Sequence, residues 1–171
     1  LPWTKIDDLH RMILDRLIPE FGLDSLSSEE VDDLNRVWHR LKPWPDSIAG
    51  LTRLRTRYVL STLSNGNVAL LVNMAKNAGL PWDAVLSAEL AEAYKPDPSV
   101  YLKAADLLGY RPNEVMMVAA HASDLRASAA VGFRTAFVPR PLEYGSNRSR
   151  NLESGREFDM VAKDFVDLAV Q

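Results

Sequence analysis

The sequence predicts an α/β fold: a doubly wound parallel sheet with a small helical unit in front of it. Three observations carry this. Up to residue 45 apolar residues recur only at helical spacing. Beyond that point short apolar runs of strand length alternate with amphipathic helical stretches. Between the two regimes lies Lys42-Pro43-Trp44-Pro45, which neither pattern accommodates and which is taken as the domain boundary. Strands joined by single-helix crossovers form a parallel, right-handed sheet.

In the front section Ile6, Leu9, Ile13, Leu14 and Leu17 mark the first helix, closed by Pro19 and Gly22. Ser27 and Glu30 have the spacing of a capping box, and Val31, Leu34, Val37, Trp38 and Leu41 continue a second amphipathic run. The first strand is expected over 58–63, followed by the turn Ser64-Asn65-Gly66-Asn67 and a helix through Leu70, Leu71 and Met74 that stops at Gly79. Ala84–Ser87 reads as the second strand. Asp97 can cap a helix through Val100, Tyr101, Ala104 and Leu108 that stops at Gly109. A third strand is expected over Val115–Ala119, a helix over Asp124–Val131 with Gly132 as its stop, a fourth strand over Thr135–Val138 and a fifth over Met160–Ala162. Residues 143–157 are polar and rich in Arg, Ser and Gly, and read as a mobile loop.

With 171 residues, 47% apolar and 25% charged, the chain can bury one such core. A net charge of −3 gives no electrostatic footprint for nucleic acid or an anionic membrane surface. The absence of cysteine excludes disulfides, thiolate catalysis and thiolate metal sites, and a reducing cytoplasm is the default compartment. No apolar run reaches the roughly 18 residues of a membrane helix, and no signal-peptide pattern is present. Leu1 in place of Met suggests that a longer chain precedes it.

In parallel sheets the chemistry lies beyond the carboxyl ends of the strands. Three polar groups fall there: Ser64-Asn65 after the first strand, Lys95 after the second, and His121 to Asp124 after the third. Together they offer hydroxyl and amide donors, a cation and a carboxylate to an anionic reaction centre. Each also has a plainer reading. Ser64–Asn67 suits an ordinary turn, Lys95 a solvated loop, Asp124 a helix N-terminus, and His121 a satisfied turn histidine. The prolines around Lys95 stiffen its loop more than a solvated lysine needs. His10 and His39 read as structural or solvent-facing; Trp38, Trp44 and Trp82 read as packing residues.

Leu63-Ser64-Asn65-Gly66-Asn67, then Tyr94-Lys95-Pro96-Asp97-Pro98-Ser99-Val100-Tyr101, then Val118 through Asp124, resemble the second, third and fourth motifs of the haloacid dehalogenase superfamily. Phe133–Pro141 fits the strand that follows. The likeness is closest to L-2-haloacid dehalogenases. It implies a Rossmann-like parallel sheet core over 46–171 that lacks its first strand, with residues 1–45 as part of a helical cap. In the superfamily that first strand carries the nucleophilic aspartate; Asp7 and Asp8 lie in a helix and cannot replace it.

The resemblance also implies residue roles. Lys95 keeps the nucleophile ionised, while Asp124 orients Lys95 and helps activate water with His121. Ser64 and Asn65 bind the substrate carboxylate, Tyr101 reaches back toward the site, and Trp3 borders the pocket. Superfamily phosphatases place a Mg²⁺-binding acid four residues before the Asp124 equivalent; here that residue is Ala120, so no metal and no other cofactor is expected. Where many dehalogenases have Ser, Asn and Trp in this loop, the chain has Ala119, His121 and Ser123. The expected partner is a small 2-haloacid, with a homodimer possible and neither nucleic acid nor membrane involved. Two other readings stand beside this one: a phosphatase of the same superfamily, and an inactive fragment that binds a partner chain.

Overall fold

The computed structural model describes residues 3–145 and 157–171. Most of the expected 143–157 loop therefore lies outside the described residues.

The front section is helical. α1 (Ile6–Glu20) includes Pro19 and ends before Gly22, within the expected stop. α2 (Ser28–Asn35) starts on the capping box: the Ser27 hydroxyl takes the Glu30 amide, and Glu30 takes the Ser27 amide in return. The run then tightens into a 3₁₀ segment, Arg36–Arg40, rather than continuing as α-helix. α3 (Ser47–Arg55) follows the proline-rich break.

Among the described residues five parallel strands come next, in two sheets. β1 (Ser61–Ser64) pairs with β2 (Ala84–Ser87), Ser61 opposite Ala84. β3 (Met116–Ala119), β4 (Arg134–Phe137) and β5 (Met160–Val161) form the other sheet in that order. The first three connections each contain a helix: α4 (Val68–Ala78), α5 (Pro98–Leu108) and α6 (Ala122–Ala130), and α7 (Phe165–Leu168) follows β5. The parallel α/β class is as expected, although the sheet is divided. Among the described residues one edge of β1 and one edge of β3 carry no neighbouring strand.

β1 begins later than the apolar run suggests. The Leu60 amide donates to the Asp83 carboxylate at 2.9 Å, so ladder pairing starts only at Ser61. Tyr58 and Val59 are left exposed. α5 spans the division between the sheets: Tyr101 and Ala105 pack with Phe133 against Leu63 of β1 and Met117 of β3.

The front helices are attached to the sheet section through polar groups. The Asn67 side chain donates to Asp7 at 2.9 Å and accepts the Asp7 amide at 3.3 Å. His39 Nε2 lies 3.0 Å from the other Asp7 oxygen, and the Asn73 amide reaches His39 Nδ1 at 2.9 Å. His39 is thus buried and structural, not solvent-facing.

α3 and α7 meet at Gly50, where an added Cβ would fall within 2.6 Å of the Phe165 carbonyl oxygen. Neither partner is the movable end of a side chain, so the helices would have to part. Gly50→Ala is expected to destabilise the fold by about 1–3 kcal/mol, the usual range for overpacking. A urea unfolding midpoint unchanged from that of the unsubstituted chain would contradict this close approach.

Candidate active site

Lys95 and Tyr101, from one loop-helix segment, converge with Asp124, which lies 29 and 23 positions away from them. The Lys95 ammonium lies 2.5 Å from Asp124 Oδ2, and the Tyr101 hydroxyl donates to Asp124 Oδ1 at 2.6 Å. Both carboxylate oxygens are therefore engaged. The Lys95 and Asp124 side chains are 14% and 18% exposed, shielded enough for their charges to interact strongly yet still open to a small molecule.

Local structure explains the convergence. Lys95 follows β2 and the short 3₁₀ turn Ala88–Ala91. Asp97 caps α5 through the Ser99 amide at 2.8 Å, which fixes where α5 starts relative to Lys95. One turn into α5, Tyr101 is fully buried, its ring edge-on to Phe133 at 6.1 Å. Burial, followed by the adjacent Asp124 carboxylate, pushes its phenol pKa well up, so Tyr101 stays a proton donor to Asp124. Asp124 lies in the first turn of α6, where the helix dipole favours a carboxylate.

Asn65 braces this arrangement from β1's end. Its Oδ1 accepts the Lys95 amide at 2.7 Å and its Nδ2 donates to the Lys95 carbonyl at 3.3 Å. One amide hydrogen is left for another acceptor. The Ser64 hydroxyl accepts the Gly66 amide at 3.0 Å and keeps its own proton to donate. A Cβ at Gly66 would meet Leu70 at 3.3 Å and Ser64 Oγ at 3.4 Å, so this turn is tightly filled.

Two expected site residues stand apart from that cluster. The His121 backbone carbonyl accepts the Asp124 amide at 3.1 Å, but its side chain turns to Glu143, with Nε2 3.0 Å from both carboxylate oxygens. Trp3 packs near Tyr94, the neighbour of Lys95, with ring centroids 6.2 Å apart. Its indole nitrogen is buried without a hydrogen-bond partner. The Tyr94 hydroxyl donates to the Thr4 carbonyl, holding the chain start against the Lys95 loop.

Sequence reasoning missed Glu143, because a lone glutamate after Pro141 gives no periodic or motif signal. Ala120, at the end of β3, lines a cavity of about 230 Å³ together with Ala119, Val138 and Glu143. Among the described residues no group of three or more His, Asp or Glu is placed to hold a metal ion. None of their helices is long and apolar enough to cross a membrane.

This arrangement can hold an anion beside a fixed ammonium and present amide and hydroxyl donors to a second anionic group. It has known counterparts. Residues 7–132 match the family described as haloacid dehalogenase-like hydrolase. The chain is 38% identical over 119 residues to (S)-2-haloacid dehalogenase 4A of Burkholderia cepacia, an alignment covering 66% of this chain and 52% of that protein. It is 36% identical over 135 residues to (S)-2-haloacid dehalogenase 1 of Pseudomonas sp. (strain CBS-3), covering 73% and 60%. The crystal structure of the L-2-haloacid dehalogenase PA0810 superposes with a TM-score of 0.95 at 48% identity, over 100% of this chain and 75% of that one. The chain thus spans little more than half the length of these curated relatives.

Proposed function

The chain belongs to the haloacid dehalogenase-like hydrolases, and from that premise we propose that it carries most of the active site of a 2-haloacid dehalogenase. The nucleophilic aspartate is assigned to a segment upstream in a longer protein, on a strand seated between β1 and β3. Residues 46–171 are the hydrolase core in this reading, and the helices before them are part of a cap over the pocket.

The observation that carries the reading is the Lys95–Asp124 pair, shielded at the strand ends with Asn65 bracing the Lys95 peptide. In the proposed reaction the upstream carboxylate attacks C2 of a 2-haloalkanoate. A carbon–oxygen bond forms as the carbon–halogen bond breaks, and halide leaves with the electron pair. Lys95 favours the ionised nucleophile by placing positive charge beside it. Ser64 and the remaining Asn65 amide hydrogen hold the substrate carboxylate, so that C2 is presented in line. Tyr101 reaches toward this pocket through Asp124, and Trp3 borders it. Water then hydrolyses the enzyme ester to a 2-hydroxyalkanoate of inverted configuration, with Asp124 and His121 as the groups available to take its proton.

Ala120 supports dehalogenation over phosphoryl transfer, since an alanine at that position offers no oxygen to a divalent cation. The experiment is halide release from L-2-chloropropionate, without added metal, by the protein expressed with its natural upstream segment. Stoichiometric chloride and 2-hydroxypropionate are expected, and none from residues 1–171 alone. No halide from this or related haloacids, together with Mg²⁺-dependent phosphate release from phosphate esters, would overturn the assignment in favour of a phosphatase.

A further inference from the structure

We propose that Asn67 is a positioning residue for the substrate carboxylate: through Asp7 it ties the helical front section to the Ser64–Asn67 turn and holds that turn in its binding geometry. This rests on the dehalogenase reading above, in which Ser64 and Asn65 hold that carboxylate.

What points to this role is a helix cap that is not made. Asn67 stands at the N-cap of α4 with the extended backbone of that position, yet its side chain accepts no helix amide. Asparagine is among the best residues for such a cap, and forgoing it leaves the first amides of α4 in need of other acceptors. Glu89, from the 3₁₀ turn after β2, supplies one by accepting the Val68 amide at 2.7 Å. Asn67, only 3% exposed, is committed instead to Asp7. It donates to Asp7 Oδ2 at 2.9 Å and accepts the Asp7 amide at 3.3 Å.

Asp7 is fixed from its other side as well. The Asn73 amide donates to His39 Nδ1 at 2.9 Å, which leaves the proton of a neutral His39 on Nε2, 3.0 Å from Asp7 Oδ1. Each oxygen of the carboxylate thus has its own donor. The contacts close a ring from α4 through the 3₁₀ segment and α1 back to the start of α4. Lys5 adds a second tie, its Nζ 3.3 Å from the Glu89 oxygen that does not serve Val68.

The turn passes this hold on to the site. Asn65 is bonded to the Lys95 peptide, and the Gly66 carbonyl accepts the Ser87 hydroxyl at 2.6 Å. Asn67 is where the turn becomes helix, and Asp7 anchors it there from outside the sheet section. A shift at Asn67 travels through Gly66 to the Ser64 hydroxyl, because the Gly66 amide is bonded to that oxygen at 3.0 Å.

Steady-state halide release from L-2-chloropropionate by the longer protein separates this role from helix capping. Serine caps a helix about as well as asparagine but is too short to reach Asp7 in the same way. Asn67→Ser is expected to raise KM about 10-fold, the scale of one lost hydrogen bond to a charged group. Its kcat and urea midpoint should stay near those of the unsubstituted protein. Asp7→Ala should raise KM likewise, and adding Asn67→Ser to it should raise KM no further. Asn73→Ala, which cuts the ring at its far end, should leave KM unchanged. A normal KM for Asn67→Ser would overturn the proposal, as would a fall in kcat at unchanged KM, the mark of a merely unfolded fraction. Multiplication of the Asp7→Ala and Asn67→Ser effects, or an equal rise in KM for Asn73→Ala, would overturn it too. An unsubstituted protein that releases no halide would overturn the dehalogenase reading itself, and this role with it.

Discussion

Lys95→Ala, in the protein with its upstream segment, is expected to lower halide release about 10³-fold, the scale seen when one preorganised charge or donor is removed from an active site. The circular dichroism spectrum should remain that of the folded protein. The loss is large because this cation is held rather than tethered. Asn65 grips its peptide from both sides, and Asp124 fixes its ammonium at 2.5 Å. Among the described residues Lys95 is the one cation paired with Asp124. Lys95→Arg should recover little, since a planar fork is longer and directs its donors differently from an ammonium. The site can absorb the deletion without unfolding: Asp124 keeps the Tyr101 hydroxyl and is exposed enough to be solvated. Saturating-substrate assays decide the matter, and undiminished turnover would remove Lys95 from the chemistry.

That this lysine and aspartate belong together was legible before any coordinates, because each follows a strand end and parallel strands bring such ends to one side. β2 falls where the pattern put it, over Ala84–Ser87, and α5 stops at Gly109, whose φ of 73° suits glycine better than any residue with a Cβ. Legibility failed where long-range contacts decide. α3 gave no signal: the residue before it, Asp46, makes no side-chain cap, and among its residues Ser47, Gly50 and Leu51 are the buried ones while Ile48 is exposed. What holds α3 is Gly50 against Phe165, 115 positions further on, and no local periodicity encodes such a pair. Glu143 escaped for the same reason, its partner lying 22 residues away in another loop. Asp7, His39, Asn67 and Asn73 are ordinary surface residue types; the fold alone makes them a part-buried network. The roles of Ser64 and Trp3 follow from resemblance, and here the structure contributes the hydroxyl geometry of one and the unpartnered indole nitrogen of the other.

The largest stability effect is expected away from the chemistry, at Asp46. Its two oxygens receive the Arg140 guanidinium in a fork, and Oδ2 also accepts the Phe165 amide at 2.8 Å. The side chains are 14% and 11% exposed, and the guanidinium lies 5.3 Å from both the Trp44 and Phe165 ring centroids. This one carboxylate therefore joins the break before α3, the segment after β4 and the start of α7. Asp46→Ala leaves a shielded guanidinium without its counter-ion and a backbone N–H without its acceptor, at a cost of about 3–5 kcal/mol. Asp46→Ala combined with Arg140→Met should be milder than Asp46→Ala alone, because the second change removes the orphaned charge. Acid should reproduce the loss. The Arg140 hydrogen bonds, more than any other contact, hold the Asp46 pKa below the ordinary aspartate range, against the opposing effect of burial. The folded chain thus takes up this proton less readily than the unfolded chain. The stabilisation is complete above about pH 4 and is lost as pH falls through the depressed folded-state value. Urea midpoints measured between pH 7 and pH 2 should fall less steeply for Asp46→Ala than for the unsubstituted chain. Parallel curves would mean that Asp46 does not couple folding to protonation.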